Sequence, residues 1–312
     1  MKCIILGAGG IGCYYGARLM RAGHDVVLVA RGEHLAQLQK EGLTLTHPEI
    51  CFNEAIRAIS LEEMKTLDLP SVDVIIIATK TTATHEVGKA LKTYFKGLAH
   101  IPYCISLQNG VENEDILCKY ITPQRVIGGL TRKIGAHIIR PSVVQAVGRA
   151  ETILGLMQND AKAQSFLEKF ALALNEAYIP TQIVLDIRKE LWKKLIINNG
   201  VNALCALLEV KTGTVMHHRG LSGLVLGLMK ETAVAAQALH VNISKAEVKA
   251  MFDLILGFDS IKPSMLVDVE HGRKLEIEEI CGVVMRYCKA QGFEAPYTQT
   301  IYALLNFKLE TL

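Results

Sequence analysis

Few folds are compatible with the sequence of residues 2–31, which reads KCIILGAGGIGCYYGARLMRAGHDVVLVAR. A short apolar run leads through glycines spaced as G-x-G-x-x-G into a helical pattern and then a second apolar run. Gly7 permits a tight turn, Gly9 lets the backbone approach a pyrophosphate, and Gly12 lets the helix pack close to the strand. This order predicts a Rossmann-type unit that binds a dinucleotide at the helix N-terminus. The alternative is a glycine-rich turn that binds no ligand.

The end of the second apolar run bears on which nucleotide binds. NAD-binding proteins usually place Asp or Glu there for the ribose hydroxyls. Here the run ends in Ala30-Arg31, and Glu33 lies beyond the strand end. A guanidinium at this point suits a 2′-phosphate, which favours NADP(H). The alternative is a solvated arginine on a loop.

Two later apolar runs read as buried strands. Residues 73–80 end in Lys80, and residues 103–110 end in Asn109-Gly110, with a helical pattern over 84–95 between them. Open parallel sheets bind ligands beyond the carboxyl ends of their strands, so both polar side chains are candidate site residues. The alternatives are a surface lysine and a turn residue before glycine.

The pattern then changes along the chain. Short β-like runs with glycines over residues 125–156 predict an antiparallel extension of the sheet, and residues 161–177 predict one more helix. After about residue 184, helical periodicity prevails. It covers residues 187–208, 220–239, 245–255 and 276–291, and KTGTVMHHRG reads as a loop.

The sequence therefore predicts an α/β fold with two domains. Residues 1–184 form an NADP-binding Rossmann-type domain with a mostly parallel sheet and helices. Residues 185–312 form an all-helical substrate and catalytic domain.

The stretch KELWKKLIINNGVNALCALL, residues 189–208, carries a column of polar residues on a mostly apolar helix. Lys194, Asn198 and Asn202 recur every four residues, which stacks them on one helix face. Lys193 also offers an ammonium group, but it does not share that face. Buried polar groups need partners, and a ligand is one candidate for that role. The alternative is an exposed polar stripe that meets water.

Composition narrows the class of protein. The 312 residues carry a formal net charge of +3, too little to suggest a nucleic-acid or anionic-membrane surface. No apolar run reaches the roughly 18 residues of a membrane span. Eight cysteines lack any C-x-x-C pair, which is typical of a cytoplasmic protein. The adjacent pair His217-His218 lacks a third metal ligand at a suitable spacing, so we expect no metal.

With these features in place, the sequence resembles the ketopantoate reductase family (2-dehydropantoate 2-reductase) over essentially its whole length. Five blocks carry the likeness: GAGGIG (7–12), SLQNG (106–110), ELWKKLIINNGVN (190–202), PSMLVDVEHGRKLEIEEICG (263–282) and GFEAP (292–296). The second and third blocks are specific, whereas the first is shared by many dehydrogenases.

The resemblance implies a role for individual residues. It makes Lys194 the catalytic lysine and Glu276 an active-site glutamate that also contacts the cofactor. The implied substrate-binding residues are Asn109, Lys194, Asn198, Asn202 and Ser264. The implied cofactor-binding residues are Gly7, Ala8, Gly9, Gly10, Ile11, Gly12, Arg31, Lys80, Asn109, Gly135 and Glu276. Periodicity alone does not separate Glu276 from Glu278 and Glu279.

The chain departs from the family pattern at several positions around the implied substrate. These are Ala203, Cys205, Thr212, Leu275 and Cys281. The departures leave the cofactor and the reaction type better supported than ketopantoate as the substrate.

The resemblance implies an NADPH-dependent oxidoreductase that reduces 2-dehydropantoate to pantoate in pantothenate biosynthesis, with a lysine as general acid. One alternative is a reductase of another 2-keto acid on the same scaffold. A second alternative is a non-catalytic NADP-sensing module, although such a module would not need the Lys–Asn–Asn column. The expected partner is a small 2-keto acid, with no nucleic acid and no membrane, and the sequence is compatible with a homodimer.

Overall fold

The computed structural model of the chain describes residues 1–257 and 261–311. It divides into two compact units, Met1–Ile187 and Arg188–Leu312. Among the described residues, no helix is both long and apolar enough to cross a membrane.

The first unit is built on a ten-stranded sheet. Its strands are β1 (Lys2–Leu6), β2 (Asp25–Val29), β3 (Leu43–His47), β4 (Ile50–Glu54), β5 (Arg57–Ile59), β6 (Val74–Ile77), β7 (Tyr103–Ser106), β8 (Val126–Arg140), β9 (Val143–Leu156) and β10 (Thr181–Ile183). Their order is β4-β3-β9-β8-β7-β6-β1-β2-β5, and β10 pairs with β9. Strands β5, β2, β1, β6, β7 and β8 run parallel in that order, which confirms the Rossmann-type arrangement.

Helices cover both faces of this sheet. They are α1 (Gly10–Arg21), α2 (Gly32–Glu41), α3 (Thr84–Tyr94), α4 (Asn113–Cys118) and α5 (Ala161–Glu176). One apolar layer includes Tyr14 of α1 and Phe170 of α5, and the other includes Leu91 of α3. Because both faces are covered, the central strands are largely apolar, and all four residues of β6 are buried.

Strands β8 and β9 form the predicted antiparallel extension. They pair over nearly their whole length, with register shifts between Arg132 and Ile134 and between Ile138 and Arg140. Only the first residues of β8 pair with β7, so the rest of this hairpin extends past the carboxyl edge of the parallel strands. The hairpin β3–β4, which the sequence reading did not predict, adds to the sheet alongside β9.

In the second unit, every regular element among the described residues is helical, as predicted. Following α6 (Ile187–Ile197), the α-helices are α7 (Ala203–Leu208), α8 (Thr212–His217), α9 (Arg219–Ala236), α10 (Lys245–Leu256), α11 (Ser264–Glu270), α12 (Val283–Ala290) and α13 (Pro296–Thr311). The prediction of a loop at KTGTVMHHRG was wrong, because α8 buries Val215 and Met216 and packs on α9 and α10.

Two segments of the second unit are π-helical, Asn198–Asn202 and Glu278–Gly282. The first lies between α6 and α7, so the helix predicted over 187–208 has a widened turn in its middle. α7 is followed by Glu209, whose φ of 56° is left-handed. The Lys308 ammonium donates to the carbonyls of Ala206 and Leu207 at 3.3 and 2.9 Å, which satisfies this helix end.

Candidate cofactor and substrate sites

The glycine loop connects β1 to α1 at the carboxyl edge of the sheet. The N–H groups of Gly7 and Ala8 both donate to the Val29 carbonyl, at 3.1 and 3.0 Å, which ties the loop to the end of β2. Gly7 has a φ of +109°, and a Cβ there would lie 2.7 Å from the Ala78 carbonyl carbon. Both the backbone angle and the space at this position require glycine.

The remaining glycines of the loop differ in what surrounds them. A Cβ on Gly12 would lie 2.0 Å from the Gly7 carbonyl oxygen, and one on Gly10 would lie 1.9 Å from the Ala136 carbonyl oxygen. A Cβ on Gly9 would meet no atom of the described residues within 4 Å. Gly10 and Gly12 are thus required by the protein's own packing. Gly9 borders open space, where a phosphate has room to approach.

The start of α1 has the character of an anion site. Gly9 is the residue before the helix, and no described side chain caps the helix there. The first turn of α1 contains no acidic residue. Its free N–H groups and the positive end of the helix dipole therefore suit a pyrophosphate, and the residues present fit a dinucleotide.

Arg31 lies just beyond the end of β2, in extended conformation, as the residue before α2. Its side chain is exposed, as are Gly32 and Glu33 after it. Glu33 stands in the first turn of α2, where a carboxylate stabilises the helix N-terminus. Arg31 is thus the cationic residue at the end of this strand.

His34, which the sequence reading missed, links three parts of the first unit. Its Nδ1 accepts a hydrogen bond from the Ser142 N–H at 3.1 Å, and its Nε2 lies 3.9 Å from the Cys13 Sγ. Burial lowers the pKa of His34, an effect that a hydrogen bond to the Ala8 carbonyl partly opposes. The neutral ring therefore holds α2, the glycine loop and the β8–β9 turn together. A lone histidine one turn past Arg31 gives no sequence signal for this role.

Buried hydrogen bonds join the loops that carry Lys80 and Asn109. The Gln108 amide, 3% exposed, donates to Thr79 Oγ1 at 3.1 Å and to Thr84 Oγ1 at 2.9 Å. The Asn109 carbonyl accepts from Thr81 Oγ1 at 2.7 Å and from Asn113 Nδ2 at 2.6 Å. These bonds fix the backbones after β6 and β7 relative to each other. In the sequence, the only sign of these hydrogen bonds was a polar residue, Gln108, at the end of an apolar strand.

Glu114 lies in α4, close to the same loops. Its side chain is 1% exposed, and neither carboxyl oxygen has a hydrogen-bond partner of good geometry among the described residues. Burial raises the pKa of Glu114 to about 7, an effect that nearby backbone N–H groups and the Ser106 hydroxyl offset only in part. This acid is therefore largely protonated at mildly acidic pH.

Replacing Glu114 with Gln should remove a pH dependence of stability. Since the pKa of Glu114 is about 7 in the folded protein against 4.5 for a free group, the folded state binds the proton more tightly. Its contribution is present below about pH 4.5 and is lost as the pH rises to 7. From pH 5 to 8, the wild type should lose about 2 to 3 kcal/mol of unfolding free energy more than Glu114→Gln.

Urea unfolding of the two proteins at both pH values measures this difference. Asp115→Asn is the matched control, because it removes the neighbouring acid and keeps Glu114. Equal pH dependence in Glu114→Gln and the wild type would show that the buried acid does not titrate in this range.

Gly135 lies in β8 and pairs with Val147 of β9. The next residue, Ala136, is the one whose carbonyl lies against Gly10. The strand segment that contains Gly135 therefore borders the start of α1.

In the second unit, the polar column begins in α6 and continues into the first π-helical segment. Lys194 and Asn198 are half-buried, and Asn202 is 6% exposed. An α-helix throughout would place these three side chains on one face. Because π-helical hydrogen bonds span five residues, the spacing of Asn198 and Asn202 around the axis differs from that arrangement. A common face for the three side chains therefore stays a prediction.

The segments that carry the remaining predicted substrate residues pack against this one. Ser264 is the first residue of α11 and is exposed, and α11 contacts both α7 and the first π-helical segment. Glu276 is 8% exposed and precedes the second π-helical segment, which contacts the first. π-helical turns are rare and occur often at functional sites. The two turns and α11 thus bring together the elements that carry these residues.

Lys193 and Glu278 are the sequence neighbours that could be taken for the predicted catalytic residues Lys194 and Glu276. Lys193 forms ion pairs with Glu190 at 3.0 Å and Glu247 at 3.5 Å. Glu278 is exposed and contacts the Tyr302 hydroxyl and, at 3.7 Å, Arg286. Lys193 and Glu278 therefore already have charged or polar partners on the surface of the unit.

Glu279, the third acid in this stretch, is half-buried. Burial raises its pKa, and the charges of Glu276 and Glu278 act in the same direction. Among the described residues, no group of three or more His, Cys, Asp and Glu side chains is arranged to hold a metal ion.

Comparison with known families covers both units. Residues 3–159 match the family described as Ketopantoate reductase PanE/ApbA. Residues 186–309 match the family described as Ketopantoate reductase PanE/ApbA C terminal.

Individual relatives extend this likeness over the full chain. The 2-dehydropantoate 2-reductase of Pyrococcus abyssi is 30% identical over 310 residues, which cover 99% of this chain and 98% of the relative. The solved 2-dehydropantoate 2-reductase of Geobacter metallireducens GS-15 superposes with a TM-score of 0.86 at 27% identity, covering 99% of this chain and 100% of that one. D-mandelate dehydrogenase, solved with NADH and anilino(oxo)acetate, has a TM-score of 0.89 at 24% identity and covers 100% and 99%. This last likeness concerns the fold.

The Rossmann-type unit, the all-helical second unit and these relatives define an oxidoreductase of the nicotinamide-dinucleotide class. Within that class, the chain belongs to the ketopantoate reductase family.

Proposed function

We propose that the chain reduces 2-dehydropantoate to pantoate with NADPH, as a step of pantothenate biosynthesis. The observation that carries this proposal is the packing of the two π-helical segments against each other, with α11 beside the first. These elements supply or adjoin Lys194, Asn198, Asn202, Ser264 and Glu276. A binding module without catalysis would need the cofactor loop but not this set of residues.

The glycine loop is the proposed pyrophosphate site. The N–H groups at the start of α1 would hold the phosphates, and the open space at Gly9 would admit them. Lys80 and Gly135 are further proposed cofactor contacts. Asn109 would contact both the nicotinamide and the substrate, with its backbone held by Thr81 and Asn113. Bound NADPH would supply the hydride.

NADPH is the proposed cofactor in preference to NADH. Arg31 is exposed at the end of β2, where it can pair with a 2′-phosphate, and no acid precedes it at the strand end. Replacing Arg31 with Asp should weaken NADPH binding about tenfold or more, since a charge-assisted contact is lost and a repulsive one is added. NADH binding should be retained or improved.

Fluorescence titration of both nucleotides into the wild type and Arg31→Asp measures the shift. Arg21→Asp is a control for net charge. Arg21 is exposed and lies in the last turn of α1, at the end of that helix opposite the glycine loop. Unchanged affinity for both nucleotides in Arg31→Asp would mean that Arg31 does not meet the 2′-phosphate.

Lys194 is the proposed general acid. A ketone accepts a hydride only if the developing alkoxide is stabilised and then protonated, and an ammonium group can do both. Lys193 is ion-paired with Glu190 and Glu247, and the four-residue spacing in the sequence assigns the role to Lys194. Glu276 would orient the lysine and a cofactor ribose hydroxyl.

Asn198, Asn202 and Ser264 are the proposed substrate-binding residues. The two carboxamides would hold the hydroxyl and carboxylate groups of the substrate, and the Ser264 hydroxyl would also bind the carboxylate. Binding of this kind fixes the carbonyl relative to the lysine.

One observation favours a second candidate, the reduction of another branched or larger 2-keto acid. The five departures from the family pattern are all buried in the second unit: Ala203 0%, Cys205 0%, Thr212 1%, Leu275 6% and Cys281 0% exposed. Buried residues shape the interior of a helical unit, so changes there can alter the size of a substrate pocket.

Product analysis tests the proposed reaction. The purified protein is incubated with 2-dehydropantoate and NADPH deuterated at the transferred position. We expect pantoate with one deuterium at C2, identified by mass spectrometry. Oxidation of NADPH without labelled pantoate would contradict the proposal.

A further inference from the structure

Asn199 lies in the sequence between the two proposed substrate-binding residues, Asn198 and Asn202. It stands in the first π-helical segment, and its side chain is 0% exposed. Its amide nitrogen donates to Thr232 Oγ1 at 2.9 Å and to Thr298 Oγ1 at 3.1 Å, and lies 3.4 Å from the Leu228 carbonyl. Thr232 and Leu228 belong to α9, and Thr298 belongs to α13.

The direction of these hydrogen bonds is fixed by the neighbouring groups. The Thr298 hydroxyl donates to Glu231 Oε2 at 2.7 Å, and the Thr232 hydroxyl donates to the Leu228 carbonyl at 2.9 Å. A hydroxyl has one hydrogen, so each can only accept from Asn199. The NH₂ group of Asn199 must therefore face both threonines, which leaves one orientation for the amide.

Glu231 anchors this chain of hydrogen bonds. Its side chain is 9% exposed and accepts from the Tyr297 and Thr298 N–H groups, at 2.9 and 2.8 Å. Those groups lie in the first turn of α13, where a carboxylate is stabilised by the helix dipole. The Glu231 carboxylate is thus fixed at the N-terminus of α13. It also fixes the orientation of the Thr298 hydroxyl, which accepts from Asn199.

Asn199 is a costly residue for a merely structural position. Its Oδ1 is buried and has no hydrogen-bond partner within the described residues. A buried polar atom without a partner lowers the stability of the fold, and an apolar side chain would avoid that loss. The backbone next to it is also closely packed, since a Cβ on Gly200 would lie 2.8 Å from Met229 Cγ of α9.

We infer that Asn199 is a positioning residue, which through Thr298 and Thr232 sets the rotation of the π-helical segment and so aims Asn198 and Asn202 at the substrate. The inference rests on the proposed function. A π-helical turn is seldom stable by itself, so its geometry depends on contacts of this kind. Asn199 follows Asn198 directly and lies three residues before Asn202. Its fixed orientation therefore constrains both.

The test compares two variants at one position. Thr298→Val has the shape of threonine without the hydroxyl, whereas Thr298→Ser keeps the hydroxyl and loses a methyl group. We expect Thr298→Val to lower kcat/KM for the 2-keto acid about tenfold, mainly through KM, with NADPH affinity within twofold of the wild type. Thr298→Ser should stay within twofold of the wild type in every constant. Thr232→Val and Thr232→Ser repeat the comparison if Thr298→Val does not fold.

Amide hydrogen exchange gives a readout that does not depend on activity. Peptides that contain residues 198–202 should exchange at least tenfold faster in Thr298→Val than in Thr298→Ser, with α10 unchanged. Ile255→Val, a buried α10 variant that leaves these hydrogen-bonding groups in place, controls for a general loss of stability.

Equal kcat/KM and equal exchange in the Val and Ser variants would overturn the inference. A wild type that reduces no 2-keto acid would instead contradict the proposed function, and the exchange measurement would still decide the role of Asn199.

Discussion

Lys194→Ala should lose turnover by a factor of about 10² to 10⁴, the range for a lost general acid. The lysine lies in the last turns of α6, directly before the π-helical segment, and is half-buried. If Lys194 is the general acid, its loss leaves the developing alkoxide neither stabilised nor protonated by this group. NADPH affinity should change little, because the glycine loop is untouched. Single-turnover measurements with saturating substrate separate the chemical step from binding.

The matched control is Lys193→Ala. This variant removes the same charge one residue earlier, from an ammonium group that is ion-paired with Glu190 and Glu247. Surface ion pairs of this kind contribute about 0 to 1 kcal/mol, so turnover should stay near that of the wild type. Similar losses in both variants would mean that net charge, and not the position of Lys194, governs the reaction.

Gly9→Val should reduce NADPH affinity at least about a hundredfold while the protein stays folded. A Cβ at this position meets no atom of the described residues within 4 Å, so the side chain has room in the free protein. The proposed pyrophosphate site places the phosphates in the same space, and a side chain there would block them. Isothermal titration with NADPH, together with circular dichroism and thermal unfolding, measures both properties.

Gly12→Val is the contrasting variant in the same loop. Its Cβ would lie 2.0 Å from the Gly7 carbonyl oxygen, which forces the start of α1 away from the turn. This variant should lose stability as well as cofactor binding. Tight NADPH binding by folded Gly9→Val, or equal instability of the two variants, would contradict the assignment of Gly9 to the phosphate site.

The Rossmann-type half could be predicted because its signals are local. Buried parallel strands such as Val74–Ile77 are continuous apolar runs, and the glycine spacing marks the first turn. The helix α8 could not be predicted, since Thr212–His217 combines glycine, threonine and histidine. It is helical because its buried side packs on α9 and α10. Tertiary packing, and not intrinsic preference, decides such a segment.

The candidate site likewise has features that the sequence predicts and features that only the fold reveals. Periodicity selected Lys194 over Lys193 from the sequence, and that choice stays a prediction. The π-helical turn at Asn198–Asn202 left no mark in the side-chain pattern, because a widened turn alters backbone hydrogen bonds and not residue types. The partners of Asn199 and Gln108 come from distant parts of the chain, so only the fold reveals them.

The proposed activity is tested most directly by specificity constants for a panel of 2-keto acids. The wild type is assayed with each acid, 2-dehydropantoate included, using NADPH and then NADH, by the loss of nicotinamide absorbance. We expect the highest kcat/KM for 2-dehydropantoate with NADPH, and at least a tenfold lower value with NADH. A higher kcat/KM for another 2-keto acid would contradict the proposed substrate. Faster reaction with NADH would contradict the proposed cofactor, and no reaction with any 2-keto acid would contradict the account as a whole.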